Sequence, residues 1–146
     1  MENIRSAFQK FWGNFYNMST LLPTPELISA FPTGKAIFRN QQGQFINAQF
    51  PYITYDIMRP EFANFTITTA SIWDRNPSNP GFFGLVDNVL SQISKVIPEE
   101  GILLELGIDG AIWLLRSTPF IRYLDDPADI AISRGIVSLI VRSYVL

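Results

Sequence analysis

The residues in this 146-residue sequence that could do chemistry are chiefly carboxylates, and three of them lie in one short segment. Asp125, Asp126 and Asp129 surround a proline, and carboxylate oxygens are the ligands that Mg²⁺ and Ca²⁺ prefer. Their spacing differs from that of an EF-hand loop, and acidic residues beside a proline are typical of a solvated turn. Glu99 and Glu100 are likewise expected to be solvated rather than to form a general acid and base.

The side chains on which most catalytic sites depend are missing from the sequence. It contains no His and no Cys, which excludes serine-protease triads, thiolate nucleophiles, disulfides and the common zinc sites. Gly81-Phe82-Phe83-Gly84 lacks the Lys-Ser/Thr of a phosphate-binding loop, and no Gly-x-Ser-x-Gly motif occurs. We therefore expect a protein that is not an enzyme and that has no cofactor or bound metal.

Arg116, Arg122 and Arg134 flank the acidic segment and indicate a different role for it. Planar guanidinium groups bind carboxylates in a forked geometry, so Arg–Asp contacts between neighbouring copies could set the register of an assembly. The alternative is that these residues are exposed surface charges, whose pairs contribute about 0–1 kcal/mol each. Both interpretations stay open at this point.

The composition is that of a folded protein with a large share of rings and arginines. Aromatic residues make up 14% of the chain, so they either fill a dense core or leave aromatic surface for a partner. The formal net charge of −2 gives no basic field for a nucleic acid. Eight Arg stand against three Lys, a ratio that favours protein interfaces.

No targeting or membrane signal is found in the sequence. Its first residues lack a basic region followed by an apolar core, and no apolar run reaches the length of about 18 residues that a membrane span needs. We expect a soluble protein that is made in the cytoplasm and has no membrane partner.

Residues 50 to 75 predict the central element of the fold, two antiparallel strands joined by a short bend. Ile53 and Tyr55 alternate with Tyr52 and Thr54, as on a sheet with a core on one side. The second strand has two rows, Phe65, Ile67, Thr69, Ser71 and Trp73 on one face and Thr66, Thr68, Ala70 and Ile72 on the other. Both strands are rich in β-branched and aromatic residues.

Helical periodicity occurs in two stretches. Residues 2 to 17 carry an apolar stripe that predicts an amphipathic helix packed on the sheet. A second helix is predicted from Asn79, which could cap it, and Pro80, which suits a first helical position. Its apolar stripe continues to Ile97, and Pro98 ends it.

The remaining segments are predicted from proline, glycine and alternation patterns. Residues 18 to 49 form an extended connection and loop, with a helical turn at Glu26 to Ala30 and a short strand at Lys35 to Arg39. A second hairpin turns at Asp109-Gly110, with strands over residues 101 to 108 and 111 to 117. An exposed excursion is expected over residues 118 to 135, followed by a closing strand from about Ile136 to Leu146.

These elements together predict a single α+β domain over residues 1 to 146. Its mostly antiparallel, mixed sheet would have about five strands, with the N-terminal helix and the central helix packed on one face.

The order of elements and several local patterns resemble the tail terminator, or neck terminator, proteins of long-tailed bacteriophages. The resemblance covers most of the chain outside residues 18 to 45 and is moderately specific, since it concerns element order and residue type rather than a strict motif. Besides the first helix, it depends on Phe50-Pro51-Tyr52-Ile53-Thr54-Tyr55, Ile72-Trp73-Asp74, the helix Leu85 to Ile97, Arg122-Tyr123-Leu124-Asp125-Asp126 and the closing strand up to Tyr144.

The resemblance implies a structural virion protein that forms a ring, expected to be hexameric, on the end of the tail tube. Its partners would be sister copies, the tail tube protein, a head-completion or connector protein and, in a contractile tail, the sheath protein. DNA would pass through the ring without sequence-specific binding. The residues expected at subunit or partner contacts are Arg39, Gln42, Gln44, Arg116, Arg122, Asp125, Asp126, Asp129 and Arg134.

Two alternatives accompany this expectation. Residues 18 to 45 are longer than the family pattern, which leaves another neck, tail-tube or baseplate subunit of related fold as the second candidate. A metal-dependent enzyme that uses the three aspartates of the acidic segment is the contrasting hypothesis.

Overall fold

The computed structural model describes residues 4–18, 24–32, 37–39, 42, 45–47, 49–56, 66–106 and 110–145. These residues form two helices and ten strands. In chain order they are α1 (Ile4–Trp12), β1 (Tyr16–Asn17), β2 (Glu26–Leu27), β3 (Ser29–Pro32), β4 (Ile37–Arg39), β5 (Phe45–Asn47), β6 (Tyr52–Tyr55), β7 (Thr66–Arg75), α2 (Gly84–Val96), β8 (Ile102–Glu105), β9 (Gly110–Asp125) and β10 (Ile132–Val145).

The main sheet has six strands in the order β3-β6-β7-β10-β9-β8. Only β3 and β6 pair in parallel, and the other pairs are antiparallel. Both helices pack on the same face, where their buried side chains join those of the sheet in one hydrophobic cluster. The predicted α+β class is confirmed, with six strands in place of about five. Two further pairs, β1–β2 and β4–β5, form small sheets of their own.

The central hairpin is confirmed in both its pairing and its facing. Strands β6 and β7 are antiparallel, with Tyr55 opposite Ala70. Ile53 and Tyr55 are buried against the helices, while Tyr52 and Thr54 on the opposite row are half-buried. The predicted bend between the strands lies outside the described residues.

Helix α1 is shorter than predicted because the chain turns after Trp12. Gly13 donates its N–H to the Gln9 carbonyl at 3.0 Å, and the next residues enter strand β1. The aromatic stripe is nevertheless core, as expected, since Phe8 and Trp12 are fully buried. Trp12 stacks on Tyr55 of the sheet with a centroid separation of 6.5 Å.

Helix α2 begins at Gly84, so the predicted start at Asn79 and Pro80 is wrong. The N–H of Asn79 binds the side-chain oxygen of Asn76 at 3.2 Å in a separate turn. Gly81 then adopts a φ of +81°, which an α-helix cannot contain. Downstream the prediction is confirmed, and Ile97, just past the last helical residue, is fully buried.

The connection before β6 contains strands rather than a helical turn. Glu26 and Leu27 pair with β1, and the next residues form β3 beside β6, so the turn predicted at Glu26 to Ala30 is wrong. One isolated turn has too few hydrogen bonds to offset its nucleation cost, whereas strand pairing satisfies these backbone groups. The short strand predicted at Lys35 to Arg39 is confirmed over Ile37–Arg39 as β4, and most of the loop that follows it lies outside the described residues.

The predicted excursion over residues 118 to 135 is wrong. Strand β9 continues to Asp125 and pairs with β10, which already begins at Ile132. Proline has no backbone N–H to donate to a neighbouring strand, so it usually indicates the end of a central strand. Here Ser117 to Phe120 lie opposite the single residue Ser138, an irregularity of the bulge type that accommodates Pro119.

Gly135 is predicted to be intolerant of a side chain. An added Cβ would lie 2.6 Å from Val86 Cγ1 and 3.0 Å from Leu90 Cδ1, both on the buried face of α2. We expect Gly135→Ala to lower the free energy of unfolding by about 1–3 kcal/mol, measured by urea denaturation. Adding Val86→Ala should make room for the new methyl group. The double variant should therefore lose less free energy of unfolding than the two single variants lose in sum. Strictly additive effects would contradict this packing argument.

Candidate functional site

Neither of the two described helices packs on the second face of the main sheet, which is built by the strand alternation. Because the core takes one row of each strand, the other row points away from α1 and α2. Tyr52 of β6 and Arg134 of β10 both lie directly opposite Trp73 of β7, one on each side. We call this surface the helix-free face.

Four side chains form a continuous row across the helix-free face. The Phe31 and Tyr52 rings are 6.2 Å apart in edge-on geometry, and Tyr52 stacks on Trp73 at 6.1 Å. The Arg134 guanidinium carbon lies 4.3 Å from the centre of the Trp73 ring. We call Phe31, Tyr52, Trp73 and Arg134 the aromatic ladder. Since β6 and β10 flank β7, the two faces of the Trp73 ring are covered from opposite sides.

Hydrogen bonds fix the ladder in one arrangement. The Trp73 indole N–H donates to the Thr54 hydroxyl at 3.0 Å. The Nε and one terminal nitrogen of Arg134 donate to the Ser71 hydroxyl at 3.1 and 2.9 Å. A guanidinium that is both stacked and hydrogen-bonded loses little further freedom when a partner binds.

Burial and neighbouring charge act together on the ladder. Burial lowers the pKa of Arg134, and the positive charge of Arg122 lowers it further. Burial also raises the pKa of the Tyr52 hydroxyl, against an opposing effect of Arg134. Arg122 itself is exposed. Arg134 remains charged at neutral pH, so this end of the helix-free face presents two neighbouring cations, Arg122 and Arg134.

The acidic turn beside this face is organised by contacts within the chain. Arg75 Nε donates to Asp129 at 2.9 Å, and the other oxygen of that carboxylate accepts the Ala131 N–H at 3.0 Å. Asp126 accepts the Ala128 N–H at 2.8 Å. These bonds give the turn a defined shape.

Arg116, also predicted for an interface, lies on the helix-bearing face. Its guanidinium donates to the carbonyls of Ile97 and Ser94 at 2.8 and 3.0 Å, at the end of α2. It also stacks over the Phe120 ring at 4.5 Å. A cation at a helix C-terminus satisfies free carbonyls and opposes the helix dipole, so Arg116 has a clear stabilising role.

The other predicted interface residues are distributed around the molecule. Arg39 ends strand β4, and Gln42 occupies an exposed turn beyond it. Gln44 lies outside the described residues. Asp125 ends β9 opposite Ser133. The structure therefore brings Arg122 and Arg134 together. The interface role of all nine residues predicted from the sequence stays a prediction.

A cleft of about 660 Å³ opens beside the N-terminus of α2. Its lining mixes apolar side chains with amides and one carboxylate, Asp74, whose pKa is raised mainly by burial. Among the described residues, no three His, Cys, Asp or Glu side chains gather as a metal site would need. Within the same part of the chain, neither helix has the length and apolarity to cross a bilayer.

Arg134→Lys is predicted to lower stability although it keeps the charge. Lysine cannot reproduce the planar stacking on Trp73 together with the paired donation to Ser71. We expect a loss of about 1–2 kcal/mol in the free energy of unfolding, measured by urea denaturation. Arg122→Lys is the matched control and should stay within about 0.5 kcal/mol of the unchanged protein. Equal effects at the two positions would contradict the ladder geometry.

Two aspartates are predicted to respond oppositely to replacement by asparagine. Burial raises the pKa of Asp74, so its charge is costly at neutral pH and Asp74→Asn should stabilise, by less than about 1 kcal/mol after solvent screening. The hydrogen bond from Arg75 lowers the pKa of Asp129, so Asp129→Asn should destabilise at neutral pH.

Both differences should vanish in acid. The Asp74 effect should be gone once the pH falls below about 3.9, where aspartate is protonated even in the unfolded chain. The Asp129 effect is present above that value and should be lost as the pH falls through the lowered folded pKa. Urea denaturation from neutral to acid pH measures both, and effects of the same sign would contradict the assigned causes.

Comparison of the chain with models of protein families, with curated proteins and with solved structures gives no match.

Proposed function

We propose that this chain is a structural subunit of a long-tailed bacteriophage. Sister copies form a ring, expected to be hexameric, that ends the tail tube and joins it to head-completion or connector proteins. The proposal combines the resemblance drawn from the sequence with one structural observation: three aromatic rings and an arginine interlock on the helix-free face of the sheet.

Exposed apolar side chains support contact with another protein. Ile67, Leu103 and Leu124 are 61%, 47% and 41% exposed, and their strand positions place all three on the helix-free face. Tyr, Trp and Arg are the residues most often found at the energetic centres of protein interfaces. Removal of apolar side chains around such a centre from water stabilises the complex with a partner.

The edges of the main sheet are also suited to assembly. Strand β8 forms one end of the sheet and has four residues, with Leu103 and Glu105 exposed. An edge strand offers backbone donors and acceptors that a neighbour can cover. Contacts between two different patches on identical subunits run head to tail, and they close into a ring when the rotation per subunit permits.

The same geometry argues against base recognition as the role of the ladder. Proteins that bind single strands stack bases on open aromatic faces. Both faces of the Trp73 ring are already covered, by Tyr52 and Arg134. With a net charge of −2, the chain is suited to surround DNA without reading its sequence.

The proposal predicts a ring in solution or on the tail. Purified protein should sediment as a closed oligomer, alone or after addition of purified tail tubes, and electron micrographs should show it on tube ends only. Binding along the whole tube would favour the alternative of another neck, tube or baseplate subunit. A chain that stays monomeric and does not bind tubes would contradict the proposal.

A further inference from the structure

We propose, building on the proposed ring, that each subunit docks an acidic edge onto the aromatic ladder of the next subunit. The acidic edge consists of Glu99, Glu100, Leu103 and Glu105, at the end of the sheet formed by β8. The occupant of the helix-free face is therefore a second copy of this chain, and electrostatic attraction together with one apolar anchor selects it.

The acidic edge is an ordered surface. The Trp113 indole N–H donates to the Glu100 carbonyl at 3.0 Å, and Leu103 lies opposite Trp113 where β8 pairs with β9. Gly101 has a φ of +81°, and a Cβ there would lie 2.4 Å from the Trp113 indole nitrogen. Glycine at position 101 therefore allows the Glu100 carbonyl to approach the indole N–H of Trp113.

The side chains of this edge point outward. Ile102 and Leu104 pack against the core, which leaves Leu103 and Glu105 on the opposite row, and both are exposed. Glu99 and Glu100 are exposed as well. Residues 96 to 115 contain no Lys or Arg, so any cation near the three carboxylates comes from another part of the chain. By register, Arg142 of β10 lies opposite Trp113, two strands from Leu103.

The ladder carries the complementary charge. Arg122 is exposed and lies close enough to Arg134 to lower its pKa. Asp129, in the turn between β9 and β10, is paired with Arg75 at 2.9 Å. Tyr52 and Trp73 are half-buried, so part of each ring is accessible beside these cations, while the indole N–H of Trp73 is bound by Thr54. A leucine between carboxylates matches rings beside guanidinium groups.

The two patches cannot meet within one subunit. Strand β8 is three strands from Trp73 on β7, which at the usual strand spacing is about 14 Å across the sheet. Arg122 is on β9, the strand beside β8, but it lies far along that strand from Ala111, the residue opposite Glu105. The contact must therefore join different copies, and it is heterologous because the patches differ. Such a contact repeats from copy to copy, and it closes into a ring when the rotation per subunit permits.

A charge exchange tests the pairing. Arg122→Glu and Glu105→Arg should each weaken self-association at least about tenfold, because each places like charges opposite one another. The double variant, with both changes, restores opposite charges and should recover the ring. Sedimentation velocity over a range of concentrations measures the association. Thermal unfolding of each variant checks the fold, which exposed substitutions should leave intact.

A matched control uses an acidic residue away from the edge. Glu26 is exposed on β2, and Glu26→Arg combined with Arg122→Glu should not recover the ring. Recovery in that control, or rings unaffected by both single changes, would overturn the docking model while leaving the ring itself established. An unchanged protein that forms no ring either alone or with purified tail tubes would contradict both proposals. A ring that follows the charge exchange but ignores tail tubes would contradict only the proposed function.

Discussion

The antiparallel register between β7 and β10 determines the placement of almost every side chain that matters in this protein. It sets Val137 opposite Ala70 on the buried face and Arg134 opposite Trp73 on the helix-free face. Side chains alternate with a period of two, so a slip of one residue would exchange the two faces. Burial of the core and stacking of the ladder are therefore satisfied by the same alignment, and each reinforces the other.

The parts of the fold that the sequence predicts are those controlled by local periodicity. Alternation separated Ile53 and Tyr55 from Tyr52 without knowledge of any partner strand, and the apolar stripe of α2 indicated its buried side correctly. The errors lie where a long-range contact outweighs a local signal. The strand predicted to end at Ser117 continues through Pro119, because the bulge opposite Ser138 removes the need for the backbone N–H that proline lacks.

The candidate site was predictable in its residue types and not in its pairings. Arg122 and Arg134 could be chosen because their spacing relative to the acidic segment suggested recognition of carboxylates. Arg75, the contact of Asp129, lies 54 residues away in sequence, so its pairing depends on register alone. The same limit applies to Trp73, which alternation placed in one row with Thr69 and Ser71 without indicating which row is buried or that Arg134 would cover the ring. Arg116 shows the reverse case, an arginine of the expected type that turns to the end of α2.

Order within the ladder connects the stability of the subunit to its capacity for assembly. Association is costly when side chains must become fixed, by about 0.5–1.5 kcal/mol for each flexible side chain. Trp73 is held by Thr54, Tyr52 and Arg134, and Arg134 is held in turn by Ser71. These side chains are thus already ordered in the folded subunit, by contacts that also stabilise the sheet, and little further ordering is needed on association. The proposed ring would contain many copies of one contact, so a saving at each ladder would be repeated around the whole assembly. A surface that was ordered only on docking would lose this advantage at every interface.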